Sequence, residues 1–292
     1  MTPATLATLA ESGLDADHVS SVARLTLAED LAGGVDVTSV ATVPEPLTGT
    51  AAFVPRQAGV VAGIGVAMAV LDLVGGVEVL SCGRDGDRAE PGRAVLEVRG
   101  PVRALLTAER SALNLLCHLS GVATLTAAWV AAVAGTDARI RDTRKTMPGL
   151  RLLEKYAVRA GGGVNHRMGL SDAALVKDNH VIAAGGVAAA FAAVRREFPG
   201  LDVEVECDTV EQVREVIAAG VDLVLLDNMT LEQLRDSVAL CRPAGVRTEA
   251  SGGLTLANAG AVAGTGVDFL AVGALTHSAP VLDLGVDLRL GT

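Results

Sequence analysis

The sequence predicts an α/β protein in which a βα barrel follows a smaller N-terminal α+β domain. From about Ala138 onward six short apolar runs recur with helical segments between them, ARIRDT, ALVKDN, DVEVEC, DLVLLDN, VRTEASGG and DFLAVGA. That alternation builds a parallel sheet. Half of the 292 residues are hydrophobic, mostly Ala, Val and Leu, with one Trp, one Tyr and four Phe. Small aliphatic side chains suit strands covered by helices on both faces. The length allows a large core, in one barrel-sized domain or two smaller ones.

In chain order, a helix is expected over 17–32. Between 50 and 102, extended segments such as TAAFVPRQAGVVAG, VEVL and AVLEVRG are broken by the turn-rich GRDGDRAEPG, which predicts the hairpins of a small domain. The segment TAERSALNLLCHLSGVATLTAAWVAAVAG reads as a long helix leading to the barrel. Pro148 suits a first helical turn and Gly161 to Gly163 a helix end, which frames LRLLEKYAVRA as a helix. Lys155 is expected on the surface of that helix. Val210, Val213, Val216 and Ile217 give the next helix an apolar stripe, and Thr230 with Gln233 makes a capping box.

A net charge of -10 argues against nucleic acid or an anionic membrane as a partner. No uncharged apolar run reaches the roughly eighteen residues of a membrane span, and the longest, 122–135 and 181–194, predict buried helices. The N-terminus lacks a basic leader followed by an apolar stretch, so a cytoplasmic location is expected. Cys82, Cys117, Cys207 and Cys241 have no CxxC spacing and are read as reduced, mostly buried thiols, with a zinc site among them as the alternative.

All three lysines, Lys145, Lys155 and Lys177, fall within residues 141–180. The same stretch holds Arg141, Arg144, Arg151, Arg159, Arg167, His166 and His180, a cationic island in an acidic chain. Each barrel run also ends in a polar or glycine cluster: Arg144 and Lys145, Lys177, Glu206, Asp227, Ser251 with Gly252 and Gly253, then Gly273. Strand ends converge on one face of a βα barrel. Arg144-Lys145, His166-Arg167 and Lys177 are therefore expected to share one mouth. Cations buried together demand an anionic ligand, and paired arginines suit a dicarboxylate. Ser251-Gly252-Gly253 and Val272-Gly273-Ala274 each lie between a strand and a helix, where backbone N–H groups suit phosphate. Glu206 and Asp227 suit Mg²⁺, sugar hydroxyls or pairing with the lysines. An aldolase with Lys177 as a Schiff base is a competing chemistry, but a lysine among phosphate and carboxylate groups stays protonated.

The string DTRKTMPGLRLLEKYAVRAGGGVNHRMGLSDAALVKDNHV, with AEDLAGGVDVTS and ERSALNLLCHLSG before it and EVEC, LLDN, EASGG and VGALTHS after it, resembles the quinolinate phosphoribosyltransferase family over nearly the whole chain. The resemblance implies an incomplete βα barrel over 116–275 and an open-sandwich N-terminal α+β domain over 1–115, joined by the tail 276–292. It implies transfer of phosphoribosyl from phosphoribosyl pyrophosphate to quinolinate with loss of CO₂, with Mg²⁺ as cofactor. By position, Arg144, His166, Arg167 and Lys177 resemble the pocket for quinolinate's carboxylates, and Thr143 resembles a further substrate-binding residue. Arg110 would come from the neighbouring subunit of a homodimer with shared active sites, or of a hexamer. Lys145 would stand between the pyridine carboxylate and the pyrophosphate, Glu206 and Asp227 on the ribose hydroxyls. Ser251 to Gly253 with Val272 to Ala274 would cradle the 5′-phosphate, assisted by His277. Catalysis would fall to Lys145, Lys177, Glu206 and Asp227. Met147 and Ser171 stand where a threonine and a tyrosine are expected. A homologue from molybdenum operons with a different substrate is the alternative.

Overall fold

The computed structural model describes residues 1–291. The chain begins with α1 (Pro3–Glu11), α2 (Ala16–Leu31), α3 (Val37–Thr42), β1 (Thr48–Pro55), β2 (Gly59–Val60), α4 (Ile64–Val74), β3 (Glu78–Cys82), β4 (Arg88–Ala89), β5 (Leu96–Pro101) and α5 (Val102–Ala132). It continues with β6 (Arg139–Arg141), α6 (Arg151–Ala160), β7 (Ala174–Val176), α7 (Asp178–Ala184), α8 (Val187–Glu197), β8 (Val203–Cys207), α9 (Val210–Ala218), β9 (Leu223–Asp227), α10 (Leu231–Cys241), β10 (Arg247–Ser251), α11 (Leu256–Ala263), β11 (Phe269–Ala271), α12 (Ala274–His277) and β12 (Leu284–Leu290). Two compact units result: residues 1–127, 147–162 and 276–292 form one, residues 128–146 and 163–275 the other.

In the first unit an antiparallel sheet has the order β12-β1-β5-β3. The C-terminal strand pairs with β1 from Gly49↔Leu290 to Pro55↔Leu284. Helix α4 is uniformly apolar and buried from Ile64 to Leu71. Asp85 caps it, accepting from the N–H groups of Gly63 (2.9 Å) and Ile64 (3.1 Å), and the Tyr156 hydroxyl donates to the same carboxylate at 2.6 Å.

Helix α6 groups with this unit and not with the barrel. It starts at Arg151, so Pro148 lies in the turn before the helix and not in its first turn. The expected surface position of Lys155 is wrong: the residue is 0% exposed. Six consecutive residues from Leu153 to Val158 are buried, which no single amphipathic stripe produces. The helix is enclosed because its polar groups also find partners inside, Glu154 with His118 at 2.8 Å and with the Met147 N–H at 3.0 Å. The residue at the end of the helix, Gly161, has no room for a side chain. Its φ is an ordinary -79°, but a Cβ there would collide with the Ala123 carbonyl and lie 2.7 Å from Thr126 Cβ.

In the second unit the sheet is parallel, with the order β6-β11-β10-β9-β8-β7. The edge strands β6 and β7 do not pair, which leaves the barrel incomplete. Val164 bridges to Arg141 on the open side of β6, taking a bond from its own N–H to Ile140 O (2.8 Å) and accepting one from Asp142 N–H (3.2 Å). The register aligns Arg139, Phe269, Glu249, Leu225 and Glu206 in one row across five strands. With a side-chain period of two, Glu204 shares the face of Glu206. The alternate residues Val203, Val205, Cys207, Val224 and Leu226 are buried. Capping boxes start α9 (Thr209 with Gln212) and α10 (Thr230 with Gln233).

One apolar run behaves differently from expectation. Residues 181–194 do not form one buried helix: Gly185 (φ 81°) and Gly186 (φ 143°) split the run into α7 and α8. No residue of α7 is buried. Residues 122–132 belong to the expected long helix, α5, which is long and apolar enough to cross a membrane by length and composition; half of its most apolar stretch is buried within the protein. All four cysteines are free, and burial pushes the thiols of Cys207 and Cys241 up to about 12 and about 11.

Candidate active site

Four strand ends bring polar groups together. Lys177, the residue after β7, places Nζ 3.1 Å from Glu206 Oε2 near the end of β8. The β9 and β10 ends align Asp227 with Ser251. Asn228 adopts a left-handed φ of 52°, so its N–H reaches Ser251 O (2.9 Å) while its side-chain amide donates to Asp227 Oδ2 (2.5 Å). Gly252, at φ +85°, is obligatory here, because a Cβ would collide with the Asn228 side chain. A cavity of about 380 Å³ opens beside this turn, lined by Asn228, Thr230, Ser251, Gly252 and Gly253 among others.

The loop after β6 carries Thr143, Arg144 and Lys145, with the Lys145 N–H donating to Thr143 Oγ1 at 3.0 Å. Asp142, fully buried, accepts from the His166 N–H (2.9 Å) and the Asn165 amide (2.5 Å). The loop carrying Arg167 is closed by Asp172, which accepts from the N–H groups of Met168 (2.5 Å) and Gly169 (2.8 Å). Arg167 Nη1 donates to Ala173 O at 2.8 Å. Desolvation depresses its pKa, and the positive charge of Arg144 depresses it further. The two guanidiniums thus repel one another, and the Nε of each is buried without a hydrogen-bond partner. Leaving such groups unsatisfied is costly, and an anion is what this arrangement can accommodate.

Beneath them lies a buried polar cluster. Arg141 Nη1 meets Glu249 Oε2 at 2.6 Å and its guanidinium stacks 4.9 Å from the Phe269 ring centroid. His166 Nε2 lies 2.9 Å from Glu204 Oε2 and 3.6 Å from Glu249 Oε1. Burial pushes both glutamates up to about 7; Arg141 pulls each down, while each is raised further by another carboxylate, Glu206 for Glu204 and Glu204 for Glu249. Among the described residues, five buried side-chain polar atoms lack partners, and four of them belong to Arg144, Arg167, Glu204 and Glu249. A cavity of about 280 Å³ includes Arg141, His166, Arg167, Glu204 and Arg247 in its wall.

His166 departs from the expected mouth position. It is 8% exposed, and its Nδ1 accepts the Arg167 N–H at 2.7 Å while Nε2 faces Glu204. It therefore sits inside the barrel and adds no exposed cation. Val272 is 3% exposed and its N–H is spent on Arg141 O at 2.8 Å, so it offers no amide to a phosphate; Gly273 and Ala274 stand at the start of α12. His277 is exposed, with Nδ1 2.6 Å from Ser278 Oγ. Arg110 is exposed on α5 in the first unit. Sequence reasoning passed over Asp142, Asn165, Glu204, Asn228 and Glu249. Their signal was present in the strings RDT, NHR, EVEC, LLDN and EAS, as polar residues inside or beside otherwise apolar strands and turns.

His166, Glu204 and Glu249 bring their ligand-type atoms within 4.8 Å of one another. An imidazole that accepts at Nδ1 carries its proton on Nε2 and has no lone pair there for a metal. Glu206 and Asp227 are the better cation-facing pair: two hard oxygen donors at neighbouring strand ends, the type Mg²⁺ prefers.

The fold is an incomplete α/β barrel, and the site is a cluster of cationic side chains with buried, unpartnered nitrogens on Arg144 and Arg167. Residues 36–120 match the quinolinate phosphoribosyl transferase N-terminal domain and residues 122–287 the C-terminal domain of the same family. The chain belongs to this family. It is 53% identical over 282 residues to the nicotinate-nucleotide pyrophosphorylase [carboxylating] of Mycobacterium leprae, covering 95% of this chain and 99% of that one. It is 43% identical to the probable enzyme of the same name from Bacillus subtilis, covering 82% and 83%. Its structure is similar to that of NadC from Streptococcus pyogenes, with a TM-score of 0.91 and 40% identity over 96% of this chain and 99% of that one.

Proposed function

We propose that this protein transfers the phosphoribosyl group of phosphoribosyl pyrophosphate to quinolinate, releasing pyrophosphate and CO₂ and giving nicotinate mononucleotide, a step of de novo NAD biosynthesis. The observation that carries the reading is the Arg144–Arg167 pair, whose buried Nε atoms have no partners. A planar dicarboxylate supplies what two such forks lack. Lys145 and Lys177 add charges that meet the second carboxylate and the departing pyrophosphate. Glu206 and Asp227 accept hydrogen bonds from the ribose hydroxyls, and the Ser251 to Gly253 turn with Gly273 and Ala274 holds the 5′-phosphate. The ring nitrogen attacks C1 as pyrophosphate leaves, so positioning and electrostatics supply most of the rate. Once alkylated, the ring accepts the electron pair left when the 2-carboxylate departs as CO₂, and the arginines need only orient it. Glu206 and Asp227 are the residues that would hold Mg²⁺, which would neutralise charge on the leaving group. Stoichiometric release of pyrophosphate and CO₂ from quinolinate is expected; release of neither refutes the reading.

The same reading has the enzyme acting in the cytoplasm as a homodimer with shared sites, in which Arg110 completes the partner's pocket. Arg110→Ala and Asp227→Ala should each be inactive. Refolded together they should regain about a quarter of wild-type activity, because half the dimers are mixed and each has one intact site. Mixed dimers shown by differential tags to form without activity would exclude the shared site.

A further inference from the structure

We infer that Glu204 acts through His166 to set Arg167 in place, and that His166 is a positioning residue which does not touch the substrate. The inference rests on the quinolinate reaction proposed above, because it gives Arg167 a carboxylate to bind. Three bonds form one chain. The Arg167 N–H donates to His166 Nδ1 at 2.7 Å. The opposite nitrogen, Nε2, lies 2.9 Å from Glu204 Oε2. The backbone N–H of His166 donates to Asp142 Oδ1 at 2.9 Å.

The first bond determines the chemistry of the ring. An amide N–H can donate only to a nitrogen with a free lone pair, so Nδ1 is unprotonated and the ring is the neutral Nε2–H form. Its proton points at Glu204, which fixes the tautomer in the way a carboxylate orients the imidazole of a catalytic or metal-bound histidine. Both ring nitrogens are then spent inside the protein. His166 and Glu204 are 8% and 5% exposed, so the ring is a strut between the barrel wall and the Arg167 backbone. The side chain of Arg167 is tied at its far end as well, to Ala173 O. With both ends fixed, the guanidinium is held in place although the Arg144 charge repels it.

The test compares Glu204→Leu with Glu204→Gln in the full-length enzyme. Leu removes the acceptor for Nε2–H, whereas Gln keeps a carbonyl oxygen there. Glu204→Leu should raise KM for quinolinate about ten- to a hundredfold, the scale of a small misplacement of a binding group. Its kcat and its KM for phosphoribosyl pyrophosphate should stay within about threefold, and Glu204→Gln should stay within about threefold on all three constants. A merely structural role would move all three constants together with thermal stability. Quinolinate KM unchanged in Glu204→Leu, or equally raised in Glu204→Gln, overturns the inference.

Nitrogen-15 NMR of the imidazole ring in the wild type gives a reading that needs no variant to fold. The Nε2–H tautomer is expected in the unliganded protein, with ring nitrogens that do not shift when quinolinate is added. A protonated Nδ1, or a quinolinate-induced shift at Nε2, overturns it. If the wild type does not turn over quinolinate, the proposed reaction falls, while the tautomer still decides whether the three-bond chain exists.

Discussion

Buried and half-buried carboxylates of the two units are treated in opposite ways. In the first unit Asp85 accepts from two backbone N–H groups and from Tyr156, and Glu154 accepts from His118 and Met147. These groups are spent on holding helices. In the barrel, Glu204 and Glu249 each keep a buried oxygen without a partner, as Arg144 and Arg167 each keep a nitrogen. Interior polar groups that are fully satisfied stabilise a single conformation. Those left under-satisfied, in a cluster that also holds two like-charged arginines, mark where a ligand completes the hydrogen bonding. Burial alone does not separate the two kinds; partner accounting does.

The largest effect expected from this contrast concerns substrate choice. Nicotinate lacks the 2-carboxylate and would leave one barrel cation without its anion, so kcat/KM should favour quinolinate by about 10⁴-fold or more, as for other sites built around a polar group. Comparable values for the two acids would break the distinction between satisfied and waiting groups.

Next come the lysines. Replacing Lys145 or Lys177 by Met should cost about 2 to 5 kcal/mol of transition-state binding, measured from kcat/KM, since each becomes a buried charge partner once substrate covers it. Lys155→Met should act on the other side of the comparison. Its side chain is fully buried in the first unit, so the change should lower unfolding stability by about 1 to 3 kcal/mol and leave quinolinate KM unchanged. A kinetic defect without a stability loss would place Lys155 in the functional class.

The smallest effect is a slope. Glu249 is protonated in both folded and unfolded chains below its ordinary value of 4.5, but burial holds its folded value at about 7. Between those values the folded state keeps a proton that the unfolded chain has lost, so stability falls as pH rises through this window and levels off above it. Relative to Glu249→Gln, the wild type should lose about 3 kcal/mol across this range. Denaturant titrations at several pH values measure the difference, and parallel stability curves for the two proteins would show that Glu249 is not desolvated as described.

Much of the site was legible as a linear pattern. Strands that end in Lys177, Glu206, Asp227 and Ser251 were recognisable because a parallel strand is a short apolar run and its C-terminal end is where polarity returns. The same logic failed for Lys155, since a helical period identifies one buried face and gives no warning when a helix is enclosed on every side. It failed for the run 181–194, where composition suggested one buried helix and two glycines at positive φ divide it.

The sequence by itself determined the βα alternation, the cationic island and the family, because each is carried by residue type and spacing along the chain. Only the tertiary structure decided that His166 turns inward to Glu204 and that Val272 spends its amide on β6. It alone showed that Arg144 and Arg167 keep atoms in need of a partner. Hydrogen-bond satisfaction is a property of pairs brought together from distant segments, such as His166 with Glu204 or Arg141 with Glu249, and no local pattern records which donors have been used.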